Sequence, residues 1–241
     1  TTPQLMISGK FTDDGLYSTK IFGQQGSKLW RTTYAYIDLH CTVLHPLLYE
    51  IAVRRCSALI KLFEGSISID PDTSEVLNNN TGNWGIDYFV QNTQVVIKAL
   101  YSMKTLTESA KKLLSYILRH KDIAFVDKFI VAPPAYRPII IKEHRIQTTP
   151  ITDRYVDVIN ASKLILTIPS ETGPTYRRAL NDIQVKLYNV FKELRNRIKG
   201  KGGLVRQSLL GKTLDFSGRA VIVGDPKIKP DEIGIPYTMA V

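Results

Sequence analysis

Cysteine is nearly missing from this sequence: of 241 residues only Cys41 and Cys56 are cysteines, fifteen positions apart. A structural zinc takes about four Cys or His ligands in paired short spacings, so neither a zinc knuckle nor a disulfide framework is expected. Long apolar runs are missing as well. No stretch approaches the ~18 uninterrupted apolar residues of a membrane span. The first twenty residues, TTPQLMISGKFTDDGLYSTK, lack the apolar centre of a signal peptide. The expectation is a cytoplasmic protein with no membrane partner. Acidic side chains are scarce, 22 against 32 Lys and Arg, which leaves a formal charge of +10. That imbalance says nothing about fold, but it makes a polyanion the first partner to consider. With 15 Gly, 12 Pro and 44% hydrophobic residues, the chain is neither collagen-like nor disordered. No internal repeat is visible, which sets aside solenoids.

What is present reads as helix with some strand. Asp13-Asp14-Gly15 is a turn, and LYSTKIF before Gly23 is a strand or a one-turn element. From Pro46 to Phe63, Leu48, Ala52, Cys56, Leu59 and Phe63 recur every three or four residues and Gly65 sits at the stop, which predicts one amphipathic helix. Residues 70 to 85 are a polar loop, and Met103, Leu106, Ala110, Leu113 and Ile117 set a second helical stripe. Pro133-Pro134 then breaks the pattern. A helix starting at Thr152 as N-cap runs to a break at Pro169. The clearest stripe follows: Tyr176, Leu180, Ile183, Leu187, Val190 and Leu194, with Pro174 in the first turn and Gly200 and Gly202 at the end. The pair predicts a helical hairpin with its tip near Thr167 to Gly173.

Several apparent sites dissolve on inspection. His40 and His45 flank Cys41, but Leu39 to Pro46 also reads as the entry to an apolar helix, so no metal site is assigned. LLGKT ends like a phosphate-binding loop, yet that motif needs Gly five positions before the Gly-Lys pair, where Arg206 stands. Asp13/Asp14 and Asp70/Asp72 lie in turns, where carboxylates cap or are solvated. No catalytic constellation emerges.

A charge concentration does. Lys192, Arg195, Arg197, Lys199, Lys201, Arg206, Lys212 and Arg219 face only Glu193 and Asp215 across 28 residues. In KGKGGLVRQSLLGK, glycines between cations let the backbone approach a phosphate strand while Lys and Arg neutralise it. A solvated charge run would be the commoner explanation. The Leu209-Leu210 pair and the run AVIV, read as a buried strand, predict that the tract is built into a core instead.

At these residues a family becomes recognisable. Ile198 to Pro236, IKGKGGLVRQSLLGKTLDFSGRAVIVGDPKIKPDEIGIP, closely resembles the largest subunit of multi-subunit RNA polymerases, β′ in bacteria, where switch 2 enters the double-psi barrel. DDGLYSTKIFG (Asp13 to Gly23), YIDLHCTVLHPLLY (Tyr36 to Tyr49) and PPAYRPIIIKEHRIQTTPITDRYVDVIN (Pro133 to Asn160) are similar to the start of the clamp, the block after its zinc region, and the lid leading into the clamp helices. About 50 to 130 is left without an anchor. The resemblance implies an α+β piece that is not a self-contained domain. Its expected parts are a clamp core over 1–132, a lid region over 133–151, a projecting antiparallel clamp-helix hairpin over 152–199, a switch 2-like template-binding segment over 199–219, and the beginning of a double-psi β-barrel over 219–241. Carried over by motif, Lys199, Lys201, Arg206, Gln207, Lys212 and Arg219 face nucleic acid, Lys142, His144 and Arg145 belong to the lid, and Ile168 and Glu171 meet an initiation factor. The implied partners are the other β-like and β′-like chains, template DNA, nascent RNA and a promoter-specificity factor.

The departures from the family pattern are specific. The cysteine-rich zinc region is missing between Gly23 and Tyr36. Leu204 and Thr213 stand where bacterial relatives usually carry Arg, and Lys192 to Arg197 is too short for a rudder. The NADFDGD motif does not occur in the 241 residues. Two-metal nucleotidyl transfer needs such carboxylates, so the expectation is no cofactor on this chain and magnesium supplied by the remaining β′-like part. The zinc-less pattern leans toward a split subunit of bacteriophage type, with a piece of a longer subunit as the other possibility. The reading from a different class is a non-catalytic nucleic-acid-binding or remodelling protein that reuses the clamp and switch.

Overall fold

Alternation makes the first long element. In Ala35–Leu44 (β1), Ile37, Leu39 and Val43 are buried while Tyr36, Asp38, His40 and Thr42 are exposed, the period of a strand with one wet face. The computed structural model describes residues 15–142, 145–169, 173–211, 215, 218–219 and 221–240, and the chain divides into units 1–195 and 196–241. Ahead of β1 lie the one-turn helix α1 (Thr19–Phe22) and α2 (Lys28–Thr32). The strand then ends only at Leu44, so Leu39 to Leu44 is not the helix entry that the sequence suggests. Helix α3 (Pro46–Arg55) starts where proline fixes φ, and His45 Nδ1 accepts from Leu47 N–H at 3.2 Å. The single helix expected over Pro46 to Phe63 is two, α3 and α4 (Ser57–Glu64), because Cys56 leaves helical space at φ −135°, ψ 71°. Leu48, Ala52, Cys56, Leu59 and Phe63 are nevertheless all buried, so the bend wraps one apolar face around the core. Gly65 ends α4 at φ 77°, and a Cβ there would lie 2.9 Å from the Trp84 ring.

The polar loop contains a short ribbon, β2 (Ser68–Ile69) against β3 (Val76–Leu77). Asp70 Oδ1 accepts from Asp72 N–H at 2.9 Å, and that bond holds the exposed carboxyl below its ordinary range, the capping role expected of it. Helices α5 (Ile86–Gln91), α6 (Thr93–Tyr101), α7 (Glu108–Arg119) and α8 (Lys121–Ala124) follow. The second stripe starts later than its periodicity suggests: the Thr107 hydroxyl caps α7 by accepting from Ala110 N–H at 3.3 Å, so Met103 and Leu106 lie before the helix.

Strand β4 (Phe125–Val131) returns antiparallel to β1, pairing Ala35 with Val131, Asp38 with Lys128 and Leu44 with Phe125. The register shifts between Asp38 and Val43, leaving a bulge in which His40 takes φ 54° and donates its N–H to Asp38 Oδ1 at 2.9 Å. Rings bind the helices to this ribbon: Tyr49 to Phe63, Phe63 to Phe89 and Phe89 to Phe125, with centroids 6.4, 5.5 and 5.8 Å apart.

After a 3-10 turn at Pro134–Tyr136 and the hairpin β5 (Ile140–Lys142) and β6 (Arg145–Gln147) come α9 (Pro150–Leu166) and α10 (Pro174–Ile198). The N-cap of α9 is Thr149, not Thr152; Thr152 is buried inside the helix and shares a 3.0 Å hydrogen bond with the Tyr17 hydroxyl. Ser162 Oγ donates to Asp38 O at 2.7 Å, which seats α9 on β1. On α10, Leu180, Ile183, Leu187 and Val190 are buried as the stripe predicts, and so is Gln184. Its amide is bidentate on one residue of β1: Leu44 N–H donates to Oε1 at 2.8 Å and Nε2 donates to Leu44 O at 2.9 Å. A two-stranded ribbon leaves such backbone groups open at its edge, and Gln184 fills them. Further along, Arg177 pairs with Asp87 at 3.2 Å and Arg195 with buried Glu50, which also pairs with Arg54. The helix expected to project is therefore held to the body from Arg177 to Arg195.

One fully buried cation closes the first unit. Arg137 donates from Nε to Ala132 O at 2.9 Å and from Nη2 to Leu16 O, and its Cζ lies 4.5 Å from the Tyr17 ring centroid and 5.5 Å from that of Phe22. Burial lowers the pKa of this guanidinium, against the opposing effect of Tyr17 and Tyr155.

In the second unit the described residues of 196–241 form a glycine turn, one π turn (Val205–Leu209) and a final helical turn, α11 (Tyr237–Ala240). The buried strand expected at Ala220 to Val223 is not formed among them: Val221, Ile222 and Val223 belong to no strand and are 88%, 98% and 79% exposed. An apolar run becomes a strand only against a partner ladder, and the described residues of this unit supply none.

Candidate nucleic-acid interface

The basic tract is built on a turn that only glycine allows. Gly200 takes φ 85°, and Gly203 N–H donates to Gly200 O at 3.2 Å. A Cβ on Gly203 would sit 2.3 Å from Lys199 O, so a side chain there forces the backbone apart. The Gly203 carbonyl then accepts from Arg206 and Gln207 N–H at 3.1 and 3.0 Å, and Leu210 N–H reaches back to Val205 O at 3.0 Å, closing the π turn. Lys199, Lys201, Arg206 and Gln207 all lie on this short coil and all are exposed. Arg219 is exposed too, and its neighbour Gly218 lies against Met239. Lys212 lies outside the described residues.

Two expectations about this tract are tested by burial and pairing. Leu209 and Leu210, expected to anchor it in a core, are 77% and 78% exposed. The alternative that the cations serve Asp215 or neighbouring acids gains nothing either: among the described residues, Lys199, Lys201, Arg206 and Arg219 hold no ion pair. The result is a concentration of uncompensated positive charge with close backbone access, suited to phosphates rather than to bases.

The remaining sequence candidates are placed as follows. Lys142 and Arg145 pair across the end of the β5–β6 hairpin, and His144 lies outside the described residues. Ile168 is half-buried just beyond α9, and Glu171 lies outside the described residues. Cys41 sits in β1, Cys56 at the α3–α4 bend, and the His45 ring caps α3. Among the described residues no three His, Cys, Asp or Glu side chains converge as a metal would require. Sequence reasoning passed over Gln184, Arg137 and Glu50, polar residues inside otherwise apolar surroundings, and a second concentration of Lys and Arg between residues 98 and 121.

Burial, and secondarily the charge of Asp38, pushes the Cys41 thiol up to about 12. Iodoacetamide at pH 8 should therefore label Cys41 about a thousandfold more slowly in the folded chain than in urea, read by mass spectrometry. Because the folded value is the higher, the stabilisation is complete below pH 9 and is lost as pH rises toward 12. Equal labelling rates in the folded and unfolded chain would overturn the assignment of Cys41 to packing.

Comparison with known proteins points at the same region. Residues 211–241 match the family model described as RNA polymerase Rpb1, domain 2. The chain is 32% identical over 204 residues to the DNA-directed RNA polymerase subunit β′ of Mycoplasmoides gallisepticum, an alignment covering 76% of this chain and 15% of that subunit. Over 104 residues it is 38% identical to the β′ subunit of Ureaplasma urealyticum, 43% of this chain and 8% of the relative. The β′ subunit of Thermosipho melanesiensis is 32% identical over 160 residues, 54% and 10% respectively. The chain thus spans no more than about a seventh of these relatives. They are cellular proteins, so they lend no support to a bacteriophage type. Among the described residues no helix is long and apolar enough to cross a membrane.

Proposed function

We propose that this chain is a β′-like part of a DNA-directed RNA polymerase, and that Lys199, Lys201, Arg206, Gln207, Lys212 and Arg219 hold the template strand next to the active centre. The observation that carries the reading is the exposed, acid-free set of cations on the Gly200–Gly203 turn, immediately before the residues that match the family model. The first unit serves as clamp core, the β5–β6 hairpin as lid, and the α9–α10 turn, with Ile168 and Glu171, as the contact for a promoter-specificity factor. The other polymerase chains complete the barrel over the apolar run at Val221 to Val223, in the cytoplasm. The magnesium for nucleotidyl transfer is expected from the rest of the β′-like part, because the aspartate motif that would hold it does not occur in these 241 residues.

The test is Arg206→Ala and Arg219→Ala in the assembled polymerase, with template affinity measured across salt together with melting temperature. Each lost phosphate contact should flatten the logarithmic salt slope for a single strand by about 0.7 and weaken binding whatever the base sequence. An unchanged slope with a lowered melting point would overturn the template role.

A further inference from the structure

The second basic concentration lies far from the first in sequence. Between Lys98 and Lys121 stand Lys98, Lys104, Lys111, Lys112, Arg119 and Lys121 against Glu108 alone, in 24 residues. Helix α7 sorts its residues sharply: Ala110, Leu113, Leu114 and Ile117 are buried, while Lys112, Ser115, Tyr116 and Arg119 are exposed on the opposite side. An open surface depression of about 350 Å³ lies on that side, lined by Glu108, Lys111, Lys112, Ser115, Tyr116 and Arg119. Tyr101 of α6 fixes its edge, donating to Lys111 O at 2.9 Å and sharing a 2.6 Å hydrogen bond with Ser115 Oγ.

An ordinary solvated helix face carries both signs in i,i+3 and i,i+4 pairs. Here the one acid is already engaged, with Glu108 accepting from Lys111 at 2.7 Å, and Lys112 and Arg119 have no ion-pair partner among the described residues. Arg119 in the last turn suits the helix dipole. Lys112 in mid-helix lies one turn from Glu108 and, after Lys111, helps hold that carboxyl below its ordinary range, but makes no close ion pair with it. Between them Tyr116 is 45% exposed, its ring centroid 4.6 Å from that of His120. Cations flanking an exposed aromatic along one face are the elements of single-strand binding, in which charge tracks the backbone and a ring stacks a base. At 1.5 Å per residue, Lys112 to Arg119 spans about 10 Å, enough for two or three nucleotides.

We propose that the exposed face of α7 is a second nucleic-acid site, binding single-stranded DNA or RNA through Lys112 and Arg119 on phosphates and Tyr116 on a base. This site stands on α7 alone and is independent of the 199–219 tract. The experiment uses the full chain at nanomolar concentration with a labelled oligo(dT) 20-mer and fluorescence anisotropy across salt, in a background where Lys199, Lys201, Arg206, Lys212 and Arg219 are all changed to Ala, which removes the cations of the first site. Adding Lys112→Ala and Arg119→Ala should lower affinity roughly 25-fold at about 0.1 M salt and reduce the slope by about 1.4. Tyr116→Ala should lower affinity on the order of tenfold with the slope unchanged. Lys112→Arg with Arg119→Lys should restore binding, which a packing defect would not. A slope unmoved by the double alanine variant overturns the site, and so does capture of poly-glutamate in place of the oligonucleotide, which would make the face a dock for an acidic polypeptide. Failure at Arg206 and Arg219 alone would instead count against the template reading.

Discussion

Arg137→Ala should destabilise the protein by about 4–5 kcal/mol in urea unfolding, enough to leave a typical domain only marginally folded. The change strips the donors from Leu16 O and Ala132 O, both reached by the buried guanidinium, and empties the space between the Tyr17, Phe22 and Tyr155 rings. Each orphaned carbonyl costs roughly 1–3 kcal/mol and the cavity adds to this. The cation also carries a desolvation cost, since burial already pulls its pKa down and its Nη1 has no hydrogen-bond partner. Arg137→Met, which fills the space without the charge, should therefore cost less than Arg137→Ala. An alanine variant as stable as the parent would show that the guanidinium is not what ties residues 16–22 to α9.

Gln184→Leu should cost about 2–4 kcal/mol although leucine is the more apolar residue and its neighbours on the stripe are apolar. The amide answers both backbone groups of Leu44, so leucine leaves a buried donor and a buried acceptor without partners. Hydrogen exchange at the Leu44 amide should accelerate more than at other β1 amides, and Gln184→Asn, too short to reach both groups, should fall between. Unchanged protection at Leu44 would mean that β1 does not depend on α10.

These two residues mark where sequence reasoning runs out. Periodicity finds Leu180, Ile183, Leu187 and Val190 because burial selects apolar side chains at helical spacing, and turn chemistry marks the stop at Gly65 and the start at Pro174 because backbone geometry selects those residues. It does not find Gln184, because a polar residue in such a stripe is explained only by the strand edge opposite. Cys56 continues its stripe by side chain while departing from it by backbone, so the bend between α3 and α4 has no signature in hydrophobicity. Val221 to Val223 reads as buried because apolar runs usually are, but burial needs a covering surface that the run does not contain. The cations of the 199–219 tract were legible by simple counting. Those on α7 were equally countable, but they fall in the stretch where the family resemblance offers no anchor.

The bonds that hold the first unit join residues very far apart in sequence: Tyr17 to Arg137 and Thr152, Leu44 to Gln184, Glu50 to Arg195. On the ribosome this fixes an order of events. At about 5–20 residues per second, roughly 7–30 s separate the synthesis of Glu50 from that of Arg195. For most of that interval the edge of β1 lacks Gln184, and throughout it the carboxylate of Glu50 has Arg54 but not Arg195, so the nascent chain waits with these polar groups still open to water. Long-range closure of this kind is slow, and it makes α10 the element whose arrival commits the unit to its fold.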